Sequence, residues 1–202
     1  MTPPDGHGSA VRITALAGNP RPRSRTLGLA RTLAAELAGV LPGATLAEVD
    51  LAGLGPRVLD PADPAAAAAE AAVLGSDVLG IASPTYKASY SGLLKAFLDR
   101  FATGGLDGAS AVPVLLGGAP DHRLAVDLHF APLLLELGAK VPVRGLFVLE
   151  SETRDFGRFA AGWAHAHAAA LLPGRASPGP PRPIARTTNP TQPPVSTERT
   201  LP

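Results

Sequence analysis

Five short apolar runs alternate with five helix-like runs along this chain, and that alternation most limits the folds open to it. The apolar runs are residues 11–17, 44–49, 77–82, 111–116 and 141–149. Helix patterns occupy 27–39, 64–75, 91–101, 121–137 and 154–172. The first of these places Leu27, Ala30, Leu33, Ala34 and Leu37 on one face. The second opens on Pro64, where helix geometry accepts proline. Strands that are apolar throughout are buried on both faces, and helical crossovers between them make the sheet parallel. Right-handed crossovers then give a doubly wound α/β sandwich.

Five strands suit the flavodoxin-like order 2-1-3-4-5 better than the six-stranded dinucleotide-binding arrangement. The 202 residues fit one domain, expected over 11–172. A flexible N-terminus, 1–10, precedes it. A tail, 173–202, follows; it is rich in Pro, Ser, Thr and Arg and too poor in large apolar residues to offset its ordering entropy. The net charge of +1 supplies no field for nucleic acid or an anionic membrane. The chain has no cysteine, which excludes disulfides, thiolate catalysis, iron–sulfur clusters and cysteine-ligated zinc. No apolar run is long enough for a membrane span, and the first residues lack a signal-peptide pattern. A cytoplasmic protein is expected.

In such a sheet, ligands bind at the carboxyl ends of the strands, where the strand order reverses. The loops after strands 1 and 3 flank that point. The first, residues 18–26, carries Arg21, Arg23 and Arg25 with Ser24 and Thr26. Free backbone N–H groups and the positive dipole end at a helix start favour an anion. Arginine grips phosphate through paired hydrogen bonds. Neither G-x-G-x-x-G nor G-x-x-x-x-G-K-[ST] is present, which disfavours a dinucleotide fingerprint and a P-loop. The other reading of this loop is a solvated basic segment capped by Ser24.

The second loop reads Ser83-Pro-Thr-Tyr-Lys-Ala-Ser-Tyr-Ser-Gly92. Pro84 stiffens it, backbone N–H groups near Thr85 to Lys87 would bond the polar edges of a flat ring, and Tyr86 would stack on the ring or form the pocket wall. Gly117-Gly118-Ala119 would complete the crevice, small residues letting a ligand approach the backbone. The other reading makes Tyr86 and Tyr90 ordinary half-buried packing residues. Together the loops suit a mononucleotide with a large ring. Neither a histidine nor a G-x-S-x-G elbow lies in the second loop, so hydrolysis is disfavoured. His165 and His167, two apart on a helix, do not face one another as a metal pair. No metal site and no acid–base dyad are expected.

With these residues in view, the chain resembles the NADPH-dependent FMN reductases of flavodoxin-like fold, especially those that supply sulfonate monooxygenases. The matching segments are Ile13 to Arg21, Ser24-Arg25-Thr26, Pro84 to Lys95, and Gly117-Gly118 followed by His122 to Asp127. The resemblance implies FMN phosphate on Arg21, Ser24, Arg25 and Thr26, with Asn19 standing where many relatives have serine. It implies the flavin ring against Pro84, Thr85, Tyr86 and Lys87, with Gly117 and Gly118 nearby. It implies hydride transfer from NADPH or NADH to a non-covalent flavin, the protein contributing binding, orientation and water control. Reduced FMN would leave for a partner monooxygenase, and the subunits would form a homodimer or homotetramer.

Rival activities are an FMN-bound quinone or azo reductase of the same fold and a flavodoxin-like electron carrier. The net charge argues against the carrier, which would use an acidic docking face. Pro132 should kink the fourth helix by removing a backbone bond. In some related reductases this helix carries a π-bulge at a tetramer interface. The equivalent region here is Asp127-Leu128-His129-Phe130, with leucine at 128 where those relatives have tyrosine. The sequence therefore leaves the bulge open.

Overall fold

In the computed structural model, which describes residues 10–41 and 43–172, five parallel strands form one sheet of order 2-1-3-4-5. They are β1 (Arg12–Ala17), β2 (Thr45–Asp50), β3 (Val78–Pro84), β4 (Ser110–Gly117) and β5 (Leu146–Leu149). The helices are α1 (Arg25–Val40), α2 (Pro64–Leu74), α3 (Gly92–Leu98), α4 (Ala131–Glu136) and α5 (Phe156–Leu171). The expected tail, 173–202, and the first nine residues lie outside the described residues. Among the described residues no helix is long and apolar enough to cross a membrane.

The order follows from burial. Strands β3 and β4 are buried at every position, as central parallel strands covered on both faces must be. Edge strand β2 is exposed over its first four residues. One apolar layer joins Ile13, Leu33, Leu37 and Val114 to Trp163 and Leu171, under α1 and α5. The other joins Leu16, Leu79 and Ile81 to Leu94, Phe97, Phe130 and Leu134, under α3 and α4. At the start of α2, Asp63 accepts the Ala65 and Ala66 N–H groups at 2.9 and 2.8 Å, and Arg57 pairs with it at 2.8 Å. The Arg57 guanidinium, then these amides, hold the Asp63 carboxyl below its ordinary range.

Four expectations on the fold are corrected. The fifth strand, expected over 141–149, begins only at Leu146. The cause lies in its neighbour. The Ala111 N–H donates to the Lys140 carbonyl at 2.7 Å, whereas the Ser110 N–H donates to Asp77 on the β3 side at 2.9 Å. Odd-numbered residues of β4 thus face β5, and Pro113, being odd, offers it no N–H. The chain touches β4 at Lys140, leaves, and rejoins where Leu146 pairs with Val114. Gly145 packs there against Val126 and Pro113, without room for a Cβ.

The helix expected over 121–137 is three pieces. A single 3-10 turn, Pro120–His122, precedes a π turn over Val126–Phe130, and α4 follows. Pro132, expected as a kink, sits in the first turn of α4 immediately after the π turn. Proline has no N–H for the carbonyl four residues back, and its ring presses on that carbonyl. A widened turn ahead of it relieves that contact, so the proline accounts for the π geometry without a tyrosine at 128. The Arg144 guanidinium holds the turn from outside, through Nε and Nη2 to Asp127 Oδ2 at 3.0 and 2.8 Å. Lastly, α3 ends at Leu98 rather than Phe101, and the 50–63 loop holds two 3-10 turns.

Candidate functional site

The loops after β1, β3 and β4 meet at the carboxyl edge of the sheet. The first begins at Gly18, whose N–H donates to the Ala82 carbonyl of β3 at 2.8 Å. Its Cβ, if it had one, would lie 2.6 Å from Leu94 Cβ on α3. Asn19 spans the loop: Oδ1 accepts the Arg21 N–H at 2.9 Å, and Nδ2 donates to Thr26 Oγ1 at 3.0 Å. Asn19 and Thr26 are both buried. Arg23 takes a left-handed conformation, φ 52°, which costs a residue with a Cβ about 1–2 kcal/mol. Ser24 Oγ accepts the Leu27 N–H at 3.2 Å and caps α1. Ser24 and Thr26 each use their oxygen as acceptor; Ser24 is half-buried and keeps its hydroxyl hydrogen to donate, whereas Thr26 is fully buried. Arg21, Arg23 and Arg25 are exposed. Arg25 Nη2 lies 2.9 Å from Glu150 Oε2, just past β5.

The second loop is a tight hairpin. The Tyr86 N–H donates to the Ser89 carbonyl at 2.8 Å, and the Ser89 N–H to the Tyr86 carbonyl at 3.1 Å. Lys87 and Ala88 between them are both left-handed, φ 52° and 60°, the geometry of a type I′ turn. Such strain concentrates at ligand sites. Tyr86 is 43% exposed at the hairpin's base. The Thr85 N–H reaches the Leu116 carbonyl at 2.7 Å. Thr85 Oγ1 is buried with no hydrogen-bond partner, an arrangement that costs free energy until a ligand supplies one.

A junction of serines locks the two loops together. Ser83 Oγ accepts the Ser91 N–H at 2.9 Å, and Ser91 Oγ accepts the Leu94 N–H at 3.1 Å as the cap of α3. The same Ser91 hydroxyl donates to the Gly18 carbonyl. Neither Ser83 nor Ser91 was singled out from sequence as a site residue. The S-x-x-L start of α3 signals a cap, but the reach of Ser91 to Gly18 is tertiary.

The third wall is Gly117-Gly118. Gly117 is buried, and a Cβ there would strike the Phe147 ring; at Gly118 the same direction is open. His122 follows in the 3-10 turn, half-buried. His165 and His167 lie away from the edge on α5. His167 stacks on Trp163 at 4.7 Å, its Nδ1 2.8 Å from the Trp163 carbonyl. No cluster of three potential metal ligands occurs among the described residues. A cavity of about 250 Å³ lined by Arg12, Thr14, Thr45 and Ala72 lies at the opposite, amino end of the strands. There Arg12 is already paired with Asp77 at 3.2 Å, and Thr14 accepts from Ser76 Oγ at 2.6 Å.

A doubly wound five-stranded sheet with a basic loop, a tight hairpin and glycines at its switch point defines a flavodoxin-like protein. Comparison with known proteins makes this specific. The family model "NADPH-dependent FMN reductase" matches residues 11–154. The chain is 33% identical over 149 residues to an FMN reductase (NADPH) of Escherichia coli (strain K12), covering 72% of this chain and 77% of that one. It is 35% identical over 153 residues to the NADH-dependent FMN reductase SfnF of Pseudomonas fluorescens (strain Pf0-1), covering 72% and 80%. The apo crystal structure of an NADH:FMN oxidoreductase (EMOB) superposes with a TM-score of 0.75 at 29% identity, over 82% of this chain and 92% of that one. The chain belongs to the NADPH-dependent FMN reductase family, and it is an oxidoreductase using FMN with NADPH or NADH.

Proposed function

We propose that FMN lies across the three loops, is held reversibly, and leaves in reduced form for a partner monooxygenase. The observation that carries this reading is the serine junction: Ser91 ties the phosphate loop to the base of the hairpin, its Oγ donating to the Gly18 carbonyl and its N–H to Ser83 Oγ at the end of β3. Two half-sites fixed at one crevice fit a ligand with an anion at one end and a ring at the other.

The phosphate would meet the first turn of α1. The free donors there are the Ser24 hydroxyl and the leading N–H groups of the helix, while Thr26, fully buried, accepts from Asn19 and steadies the loop from behind. Arg21 and Arg25 add charge-assisted bonds, and Asn19 shapes the loop behind them. The ring would lie against Pro84, Thr85, Tyr86 and Lys87, with the unpartnered Thr85 Oγ1 facing a polar edge. Gly118, open where a Cβ would stand, lets the ring approach the backbone. When bound, the flavin supplies the hydride acceptor and the nicotinamide the donor. This chain's residues bind and orient; no side chain among them is required to move a proton.

Release is favoured by exposure. The arginines of the phosphate loop are exposed, where charge pairs are weak. The enzyme is proposed to act in the cytoplasm, where reduced nicotinamide nucleotides are made, and to associate as a homodimer or homotetramer. Leu124, Leu128 and Leu135 support the second point: each is more than half exposed, Leu128 in the π turn, Leu135 in α4 and Leu124 just ahead of both. A second copy would cover them.

Purification tests the reading. The protein is expected to leave gel filtration colourless and then to bind added FMN and give it up again on dilution. A yellow protein that retains one FMN per chain through the column would instead make it a flavin-holding quinone or azo reductase.

A further inference from the structure

We propose that Glu150 sets how weakly the enzyme holds FMN, by competing with the flavin phosphate for Arg25. This rests on the reading of the β1–α1 loop as the phosphate seat. Arg25 is the first residue of α1, at the mouth of that loop. Its Nη2 sits 2.9 Å from Glu150 Oε2, and both side chains are about half exposed, 54% and 49%. The pair is long-range, joining the start of α1 to the turn that ends β5.

Two effects of Glu150 act in the same direction. The Arg25 guanidinium has to divide its donors between a carboxylate already present and an arriving phosphate. A carboxylate beside the seat also repels that phosphate through space. Glu152, in the same turn, is engaged otherwise: its Oε2 accepts the Leu149 N–H at 3.0 Å. The carboxylate available to Arg25 is therefore that of Glu150. An enzyme whose reduced flavin must depart gains from an internal rival of this kind, because release needs no large motion. The device discriminates between flavins. It acts on FMN, which carries the phosphate, and leaves riboflavin untouched.

The experiment is equilibrium titration of the full chain, wild type and Glu150→Gln, with FMN and with riboflavin, read by quenching of flavin fluorescence. Glu150→Gln is expected to tighten FMN about three- to fivefold, the size of an exposed ion pair, and to leave riboflavin unchanged. Arg25→Ala is expected to weaken FMN, and adding Glu150→Gln to it to recover less than the single variant gains. Circular dichroism checks that each variant is folded, and Glu150→Ala serves as the second variant. A wild type that prefers FMN, with Glu150→Gln unchanged or weaker for it, overturns the role of Glu150 alone. Equal tightening of riboflavin overturns it as well. A wild type that binds FMN and riboflavin alike overturns the phosphate seat, and Glu150's role with it.

Discussion

Gly18→Ala is expected to lose both stability and flavin. The new Cβ would stand 2.6 Å from Leu94 Cβ and 3.0 Å from both of its methyl carbons. Leu94 is fully buried on the inner face of α3 and cannot swing away. The clash involves the Leu94 Cβ itself, so the phosphate loop or α3 has to move. Overpacking of this kind costs about 2–3 kcal/mol, a fall in Tm of about 5–10 °C for a chain of this size. The movement also separates the Gly18 carbonyl from Ser91 Oγ and breaks the junction between the half-sites. FMN binding by the protein that remains folded should therefore weaken too. Gly28→Ala is the control. Gly28 lies in α1 with nothing within 4 Å of a Cβ, and alanine there is expected to raise stability by about 0.5–1 kcal/mol. Equal Tm values for the two variants would show that the close approach at Gly18 is not real.

Arg100→Ala is expected to cost stability and spare the site. The Arg100 side chain is only 10% exposed. Its Nε lies 3.3 Å from Glu70 Oε2 on α2, and Nη1 donates to the Val58 and Asp60 carbonyls at 3.2 and 2.7 Å. One guanidinium thus ties the end of α3 to the 3-10 turn and to α2. Removing one partner of a largely buried ion pair strands the other, which costs about 3 kcal/mol. Arg100→Lys should recover only part of this, since an ammonium lacks the fork that serves several acceptors at once. Denaturant unfolding measures the loss, and flavin titration of the folded variant should match wild type. A change below about 0.5 kcal/mol, the usual range for surface positions, would contradict this account of Arg100.

The contrast between these two positions shows what could be read in advance. Strands β1, β3 and β4 were legible because continuous apolar runs admit few other structures, and their order followed from crossover rules. β5 was misjudged because its length is set by Pro113 on its neighbour, and no pattern within 141–149 reports that. The π turn escaped for a related reason. Pro132 announces a disturbed helix, but whether the turn kinks or widens depends on what packs around it, here Gly145 and Arg144. At the site, the loops and their chemistry were visible as local composition. Their coupling was not. Ser91 with Gly18, Arg25 with Glu150, and Asn19 with Thr26 are contacts of the folded chain, and the first two join residues 73 and 125 positions apart. Thr26, which the resemblance places on the phosphate, is fully buried and accepts from Asn19.

The central claim is that the flavin, seated by its phosphate on the β1–α1 loop, is what the nicotinamide reduces. Steady-state oxidation of NADPH and NADH by the purified chain, with no flavin and with FMN, FAD or riboflavin added, measures this most directly. The account predicts oxidation that depends on added flavin and is most efficient, by kcat/KM, with FMN. Oxidation at an undiminished rate without flavin or any other acceptor, or riboflavin used as efficiently as FMN, would contradict it.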